Sequence, residues 1–382
     1  MPNASSTVKH IVIVVGDPSA DRHAAALVRT LRTQNGPVRV SALGGAYLHK
    51  EADRFVYPLV QLGGFGFIEA LSKIPALWRV RRDLRRLMET DRPDLVILVD
   101  YYGFNIHVAR LAKSLGIPVV YYISPQVWAS RPGRVRELAR TINRMLVIFP
   151  FEEALYRDAG VAVSHVGHPL LETVPAPEAP PDRLRIGLLP GSRRSTVARH
   201  LPIMVETAKR LHERHPAAEF VLFRPEELPA ALYDAEVGPA PWIRVVHDPG
   251  YEERRRLTLA LSVSGTAALE NMLLGIPMVI MYRLSLATYW IARWLIRVPF
   301  VGIPNVLANR AIVPECLQAE ATPEQLSAVV DSLIGRPDRL ALQRTELLKL
   351  RGLLETGASR RAADEIARVL ATSAPPRAKA SA

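Results

Sequence analysis

HIVIVVGDPSADRHAAALVRTL, residues His10 to Leu31, decides the fold: a β-branched run, a turn of small residues, then a helix. The run His10–Val15 does not alternate apolar with polar, as expected of a strand whose sheet is covered by helices on both faces. Gly16-Asp17-Pro18-Ser19-Ala20-Asp21 allows a tight strand-to-helix turn in which Ser19 or Asp21 caps the helix, or the helix's free N–H groups face a ligand. RVSAL (Arg39–Leu43), LVILV (Leu95–Val99), VVYYI (Val119–Ile123) and MLVIF (Met145–Phe149) read as further strands. Asp21–Arg32, Ile74–Glu89 and Asn105–Leu115 read as helices between them. The sum is a parallel, doubly wound sheet.

At Pro175–Pro181, PAPEAPP, apolar periodicity stops, as in a stiff extended linker. A second strand series follows: RIGLL (Arg185–Leu189), EFVLF (Glu219–Phe223), IRVVH (Ile243–His247), LALSV (Leu259–Val263) and PMVIMY (Pro277–Tyr282). The predicted organisation is α/β, two Rossmann-like domains facing a cleft: 1–174, a linker 175–182, and 183–340. Helices in 341–370 carry apolar residues at three- and four-residue spacings and are expected to pack back on the first domain. Residues 371–382 have nothing to bury and are expected to be disordered.

A length of 382 residues suits two such cores, and an apolar fraction of 49% is that of a globular protein. Lys plus Arg number 49 against 37 Asp plus Glu, a formal charge of +12, which favours anionic partners such as nucleotide phosphates or a phospholipid surface. Nucleic acid is not expected, because no basic helix, zinc finger or aromatic RNA-binding pattern occurs. Cys316 is the single cysteine, so no intrachain disulfide forms and a reducing, cytosolic location is the simpler reading. Met1–Lys9 is too short and polar for a signal peptide. Arg293 and Arg297 interrupt Leu284–Phe300 before a spanning helix accumulates. Neither a GxGxxG fingerprint nor a P-loop is present, and no His, Cys and acid set has metal-ligand spacing, so neither metal nor cofactor is expected.

Several turns at strand ends suit chemistry. Asp100 stands immediately beyond the buried strand LVILV, where open α/β sheets bind ligands; a base or a helix cap fits it better than a core residue. Ser124, Gln126 and Trp128, in SPQVW, suit sugar hydroxyls and an apolar platform. His168, in Gly167-His168-Pro169, suits a phosphate or the orientation of a second group. In LLPGSRR, Gly191 and Ser192 permit close backbone approach and Arg193 offers a planar fork to an anion. Ser264-Gly265-Thr266 opens a helix whose first amides favour a diphosphate. Glu270, one turn further, is suited to accept hydrogen bonds from neighbouring ribose hydroxyls. Asn305 suits a base or sugar edge.

These blocks, in this order from about Ile11 to Leu370, resemble the lipid-A-disaccharide synthase family. The strongest matches are Ser124–Trp128, Gly167-His168-Pro169, Leu189-Pro190-Gly191-Ser192-Arg193, Ser264–Glu270, and Pro304-Asn305 followed by Val313-Pro314-Glu315. The resemblance implies a GT-B type inverting glycosyltransferase that joins UDP-2,3-diacylglucosamine to 2,3-diacylglucosamine 1-phosphate, giving a tetraacyl disaccharide phosphate and UDP. It implies that the C-terminal domain grips UDP, that the N-terminal domain receives the acyl sugars, and that the protein works peripherally at the cytoplasmic face of the bacterial inner membrane. The family's catalytic aspartate falls on Asp100; with UDP gripped by the C-terminal domain, the residues expected to bind UDP or its phosphates are Gly191, Ser192, Arg193, Ser264, Gly265, Thr266, Glu270 and Asn305. Asp17, Ser19, Ser124, Gln126, Trp128 and His168 are expected at the acceptor or in the cleft.

The family's lipid-facing surface corresponds to the segment from Leu62 to Leu87. There Phe65, Phe67, Ile68, Leu77 and Trp78 would enter the bilayer interface while Arg79, Arg81 and Arg82 meet lipid phosphates. The sequence departs from the family pattern at Asp17 and Ala20, where Glu and Gly are usual, at Gly103, where a second Asp is usual, and at Ser130, where Trp is usual. Competing expectations are a related UDP-sugar glycosyltransferase with another lipid acceptor, and a non-catalytic anion-binding protein.

Overall fold

The computed structural model describes residues 8–62, 74–126, 133–179, 181–226, 228–238, 240–285 and 299–372. The chain divides into two compact units, Met1–Pro169 with Glu355–Ala382, and Leu170–Leu354.

The first unit is built on strands β1 (Lys9–Val15), β2 (Val38–Leu43), β3 (Arg54–Tyr57), β4 (Leu95–Val99), β5 (Val119–Tyr122), β6 (Arg144–Val147) and β7 (Val163–His165). They form one parallel sheet in the order β3-β2-β1-β4-β5-β6-β7. Ile11 pairs with Val40 on one side and with Leu95 on the other. Ile11 to Val15 and Leu95 to Val99 are fully buried, which explains why these runs carry no polar alternation. The helices are α1 (Pro18–Asn35), α2 (Ala46–Glu51), α3 (Ile74–Asp91), α4 (Tyr102–Ser114), α5 (Gly133–Ala139) and α6 (Pro150–Asp158). On α3, Val80, Leu84, Leu87 and Met88 sit at helical spacing in the core, leaving the opposite face to solvent.

The second unit has β8 (Arg185–Leu189), β9 (Glu219–Phe223), β10 (Ile243–Val246), β11 (Leu259–Val263), β12 (Met278–Tyr282) and β13 (Glu315–Leu317), parallel in the order β10-β9-β8-β11-β12-β13. Its helices are α7 (Arg194–Arg214), α8 (Ala231–Val237), α9 (Thr266–Leu274), α10 (Ile303–Ala308), α11 (Pro323–Ile334) and α12 (Pro337–Gly352). A separate apolar core fills this unit.

Three strands lack the apolar runs that mark the others. β3, β7 and β13 lie at sheet edges, and much of each is only partly buried, so composition does not announce them.

The C-terminal helices divide between the units. α12 stays in the second unit against α9 and α10, where Arg344 donates to Gly275 O (2.8 Å) and Arg351 to Leu273 O (2.5 Å), the carbonyls ending α9. The last helix, α13 (Ala358–Thr372), packs on α1 through Ala358, Ala362, Ala363 and Ile366. It extends two residues, Ala371 and Thr372, into the segment expected to be disordered. No helix among the described residues is long and apolar enough to cross a membrane.

Candidate functional site

Each strand order reverses beside its first strand, between β1 and β4 in one unit and between β8 and β11 in the other. Parallel sheets leave a crevice at the carboxyl ends of strands flanking such a reversal. The turns Gly16–Ser19 and Asp100–Tyr101 occupy that position in the first unit, and Pro190–Arg193 and Ser264–Thr266 occupy it in the second.

In the first unit, the two turns touch. A Cβ on Gly16 would lie 2.1 Å from Cδ1 of Tyr101, so glycine is required for the ring to lie where it does. Asp100 (φ 47°) and Tyr101 (φ 48°) are consecutive left-handed residues, a conformation that costs L-amino acids about 1–3 kcal/mol each and persists only when the surroundings enforce it. The surroundings are visible: Asp100 O accepts from Asn105 Nδ2 (2.8 Å) and from the Tyr121 hydroxyl, and Asp100 N donates to Ile123 O (3.2 Å). Burial and the neighbouring Asp100 charge push the Tyr121 phenol well above its ordinary range, so it remains a donor at neutral pH. Asn105, fully buried in the first turn of α4, holds the carbonyls of Val99 and Asp100, a contact that spacing alone does not reveal.

Other first-unit candidates are occupied internally. The helix N-terminus of α1 is capped by Asp17, whose Oδ1 accepts from Ser19 N (2.9 Å) and Ser19 Oγ (2.7 Å), so Asp17 is the cap rather than Ser19 or Asp21. Asp21 instead accepts from Gly45 N (2.7 Å) and Tyr47 N (2.9 Å), closing the start of α2, and its burial raises its pKa. Ser124 is buried with its hydroxyl 2.7 Å from Tyr156 Oη, a correction to its reading as a sugar contact, whereas Gln126 is exposed. His168 is also corrected: its side chain is buried (3% exposed), burial lowers its pKa to about 3, and its backbone N–H donates to Glu355 O (3.0 Å). Gly167 (φ +81°) has Glu355 O 2.4 Å from where a Cβ would stand, so Gly-His-Pro clasps the chain as it returns to this unit. Trp128, Phe65, Phe67 and Ile68 lie outside the described residues.

The second unit presents a different electrostatic picture. α7 and α9 both begin at the strand reversal, and neither has a side-chain cap at its N-terminus. Gly191 (φ +106°) brings the first of these turns against Val263 at the end of β11, since a Cβ there would lie 3.3 Å from Val263 Cγ2. Gly265 (φ +138°) opens α9, and its outer side is clear, with nothing within 4 Å of a Cβ. Ser192, Arg193 and Thr266 are exposed, while Ser264 Oγ donates to Val301 O (2.9 Å). Uncapped amides of two helices at one strand reversal suit an anion with more than one charged group.

Glu270, on α9, accepts from Tyr251 Oη (2.9 Å) and from Arg254 Nη1 (2.6 Å). Tyr251 and Arg254 belong to DPGYEERRR, residues that the sequence reading does not single out. Asn305 is corrected. It is fully buried, Nδ2 donates to Val313 O (2.9 Å) and Glu315 Oε1 (2.7 Å), and Oδ1 accepts from Ile312 N (2.8 Å) and Val313 N (2.9 Å). All its hydrogen-bonding capacity is spent on shaping its loop. His200, in α7, does similar work, with Nδ1 2.7 Å from Thr196 O and Nε2 accepting from Arg283 N (2.9 Å).

On the exposed face of α3, Trp78 is 66% exposed, with the Arg81 guanidinium 5.8 Å from its ring centroid, and Arg79 and Arg82 are exposed beside it. Leu77 is partly buried and packs against the core. Among the described residues no group of His, Cys, Asp and Glu could hold a metal ion.

Two doubly wound, Rossmann-like units of this kind define a GT-B type fold. Solved structures share it: a UDP-N-acetylglucosamine 2-epimerase homologue from Listeria monocytogenes (TM-score 0.64, 13% identity, 97% of this chain and 99% of that one) and the S. aureus MnaA–UDP complex (TM-score 0.66, 14% identity, 97% and 99%). At such identities the likeness concerns fold alone. The family model for lipid-A-disaccharide synthetase matches residues 11–368. Lipid-A-disaccharide synthases from Syntrophus aciditrophicus (39% identical over 93% of this chain and 96% of the relative) and Myxococcus xanthus (39%, 94% and 97%) align along nearly their whole length. The chain belongs to the lipid-A-disaccharide synthase family and is an enzyme of the glycosyltransferase type.

Proposed function

We propose that this chain condenses UDP-2,3-diacylglucosamine with 2,3-diacylglucosamine 1-phosphate at an anionic membrane surface, on the cytoplasmic side of the bacterial inner membrane. Asp100 takes the proton of the acceptor's 6-hydroxyl. The freed oxygen bonds to the anomeric carbon of the donor as the bond from that carbon to the diphosphate breaks on the opposite side. Configuration inverts, and a β-1,6-linked disaccharide phosphate and UDP result. Charge gathering on the departing diphosphate is met by the amides opening α7 and α9, with Gly191, Ser192, Arg193 and Ser264–Thr266 around it. Glu270 accepts from the ribose hydroxyls.

The observation that carries this reading is the pair of left-handed residues at the end of β4, locked by Asn105 and Tyr121. Backbone strain enforced by a fully packed support is typical of a side chain held for chemistry. Uncapped helix starts support nucleotide binding in the second unit: α7 and α9 both leave their first amides without a side-chain cap, as α4 does in the first unit, whereas α1 carries a carboxylate cap. The solvent face of α3, Trp78 among Arg79, Arg81 and Arg82, supports docking on anionic lipid.

The test is Asp100→Asn assayed for UDP release with donor and acceptor present, alongside UDP binding by calorimetry. Loss of a general base predicts a fall of at least about 10²-fold in rate with UDP affinity retained. A variant as fast as the parent removes Asp100 from the reaction.

A further inference from the structure

Three arginines stand together after β10, and their environments differ. Arg256 is exposed and Arg255 pairs with Glu178 (2.8 Å), but the Arg254 side chain is 9% exposed. Its planar fork is fully directed: Nε donates to Asn271 Oδ1 (2.8 Å), Nη2 to Ala267 O (2.6 Å) and Nη1 to Glu270 Oε2 (2.6 Å). All three acceptors lie on α9. The turn that delivers Arg254 is itself built on Asp248, whose carboxylate accepts from Glu253 N (3.2 Å) and Arg254 N (2.8 Å). Tyr251, left-handed at φ 66°, closes the same turn and reaches Glu270 Oε1 through its hydroxyl (2.9 Å).

We infer that Arg254 and Tyr251 are positioning residues that fix the Glu270 carboxylate for a vicinal diol, an inference that rests on the nucleotide reading above. An ionised carboxylate has about two acceptor positions on each oxygen. One on each is used, Oε1 by Tyr251 and Oε2 by Arg254, which leaves a matched pair, one per oxygen, for two adjacent hydroxyls. The Glu270 side chain is 17% exposed, so this remaining edge reaches solvent. Anchoring at both oxygens prevents rotation about the terminal bond, the freedom that a carboxylate would otherwise lose on binding. A buried arginine with three acceptors on one helix turn is a rigid anchor in a way that lysine, a single point charge on a flexible stem, cannot reproduce.

The test measures calorimetric affinity for UDP and for 2′-deoxyuridine diphosphate in the parent, Glu270→Gln, Tyr251→Phe and Arg254→Lys. Their ratio reports ribose discrimination, which a generally loosened fold would not selectively change. The parent should prefer UDP by about tenfold, the scale of one hydrogen bond to a charged group. Glu270→Gln should bring the ratio near one, and Tyr251→Phe and Arg254→Lys should each reduce it at least threefold while melting temperature stays close to the parent for Tyr251→Phe. If Glu270→Gln collapses the ratio and the other two variants keep the parental value, the positioning inference fails and the ribose contact stands. If Glu270→Gln also keeps the ratio, the ribose contact itself fails. Should Arg254→Lys not fold, Tyr251→Phe alone decides.

Discussion

Gly16→Ala is the perturbation whose effect follows most directly from geometry. Gly16 is buried, and the added methyl would lie 2.1 Å from Tyr101 Cδ1 and 2.4 Å from Cγ. Carbon atoms normally meet at about 3.5 Å, so the ring must retreat by roughly 1.4 Å. Tyr101 has little freedom to retreat: it is left-handed, starts α4, and packs against the core. Overpacking of this kind costs about 1–3 kcal/mol. The movement passes to Asp100, whose carbonyl is held by Asn105 and Tyr121, and a misplacement of about 1 Å at a reacting group costs about 10²-fold in rate. The expected result is a kcat for UDP release lowered about 100-fold, with UDP affinity unchanged because Gly16 lies in the other unit. Urea unfolding of Gly16→Ala, Tyr101→Ala and the double variant checks the cause. Removal of the ring relieves the overlap, so the double variant should be more stable than the two single losses added together, by about 0.5–3 kcal/mol. Additive losses, or a Gly16→Ala enzyme with parental kcat, would refute the proposed contact.

Two further outcomes are expected. Burial lowers the pKa of His168 to about 3 and of His23 to about 4, so the unfolded chain binds protons below its ordinary value of 6.5 while the folded chain does not. Their stabilisation is complete above pH 6.5 and is lost as pH falls toward 4 and 3, at about 1.4 kcal/mol per pH unit for each. Unfolding free energies from urea titrations at pH 7.5 and 5.5 should therefore differ by about 2–3 kcal/mol from this pair, with His10 and His200, also lowered by burial, adding in the same direction; equal stabilities would contradict it. At the surface, Arg81→Glu with Arg82→Glu should weaken sedimentation with anionic vesicles by at least about 25-fold, near 1 kcal/mol per charge removed, while activity on detergent-dispersed substrate persists. Unchanged vesicle binding would remove α3 from membrane docking.

The positions of the principal strands along the chain were legible because a strand covered on both faces is mostly apolar without alternation, and Ile11–Val15, Leu95–Val99 and most of Leu259–Val263 carry that requirement locally. The turns at Gly16, Gly191 and Gly265 were legible for a similar reason: close approach of the backbone or a positive φ favours glycine. Edge strands β3, β7 and β13 were not, since their partial exposure relaxes the same demand.

Polar side chains were decided by tertiary structure. Asp17 and Asp21 are both carboxylates at the start of one helix, yet one caps that helix and the other closes a turn 24 residues away. Ser124 and Asn305 match the pattern of a site but spend their hydrogen bonds inside the protein, on Tyr156 and on the 312–315 loop. Arg254 matches no expectation and nevertheless grips Glu270 from a turn 16 residues earlier. An apolar residue's place depends on the water it avoids, which its neighbours in sequence largely predict. A polar residue's place depends on which single partner reaches it within about 3 Å, and only the folded chain brings that partner there.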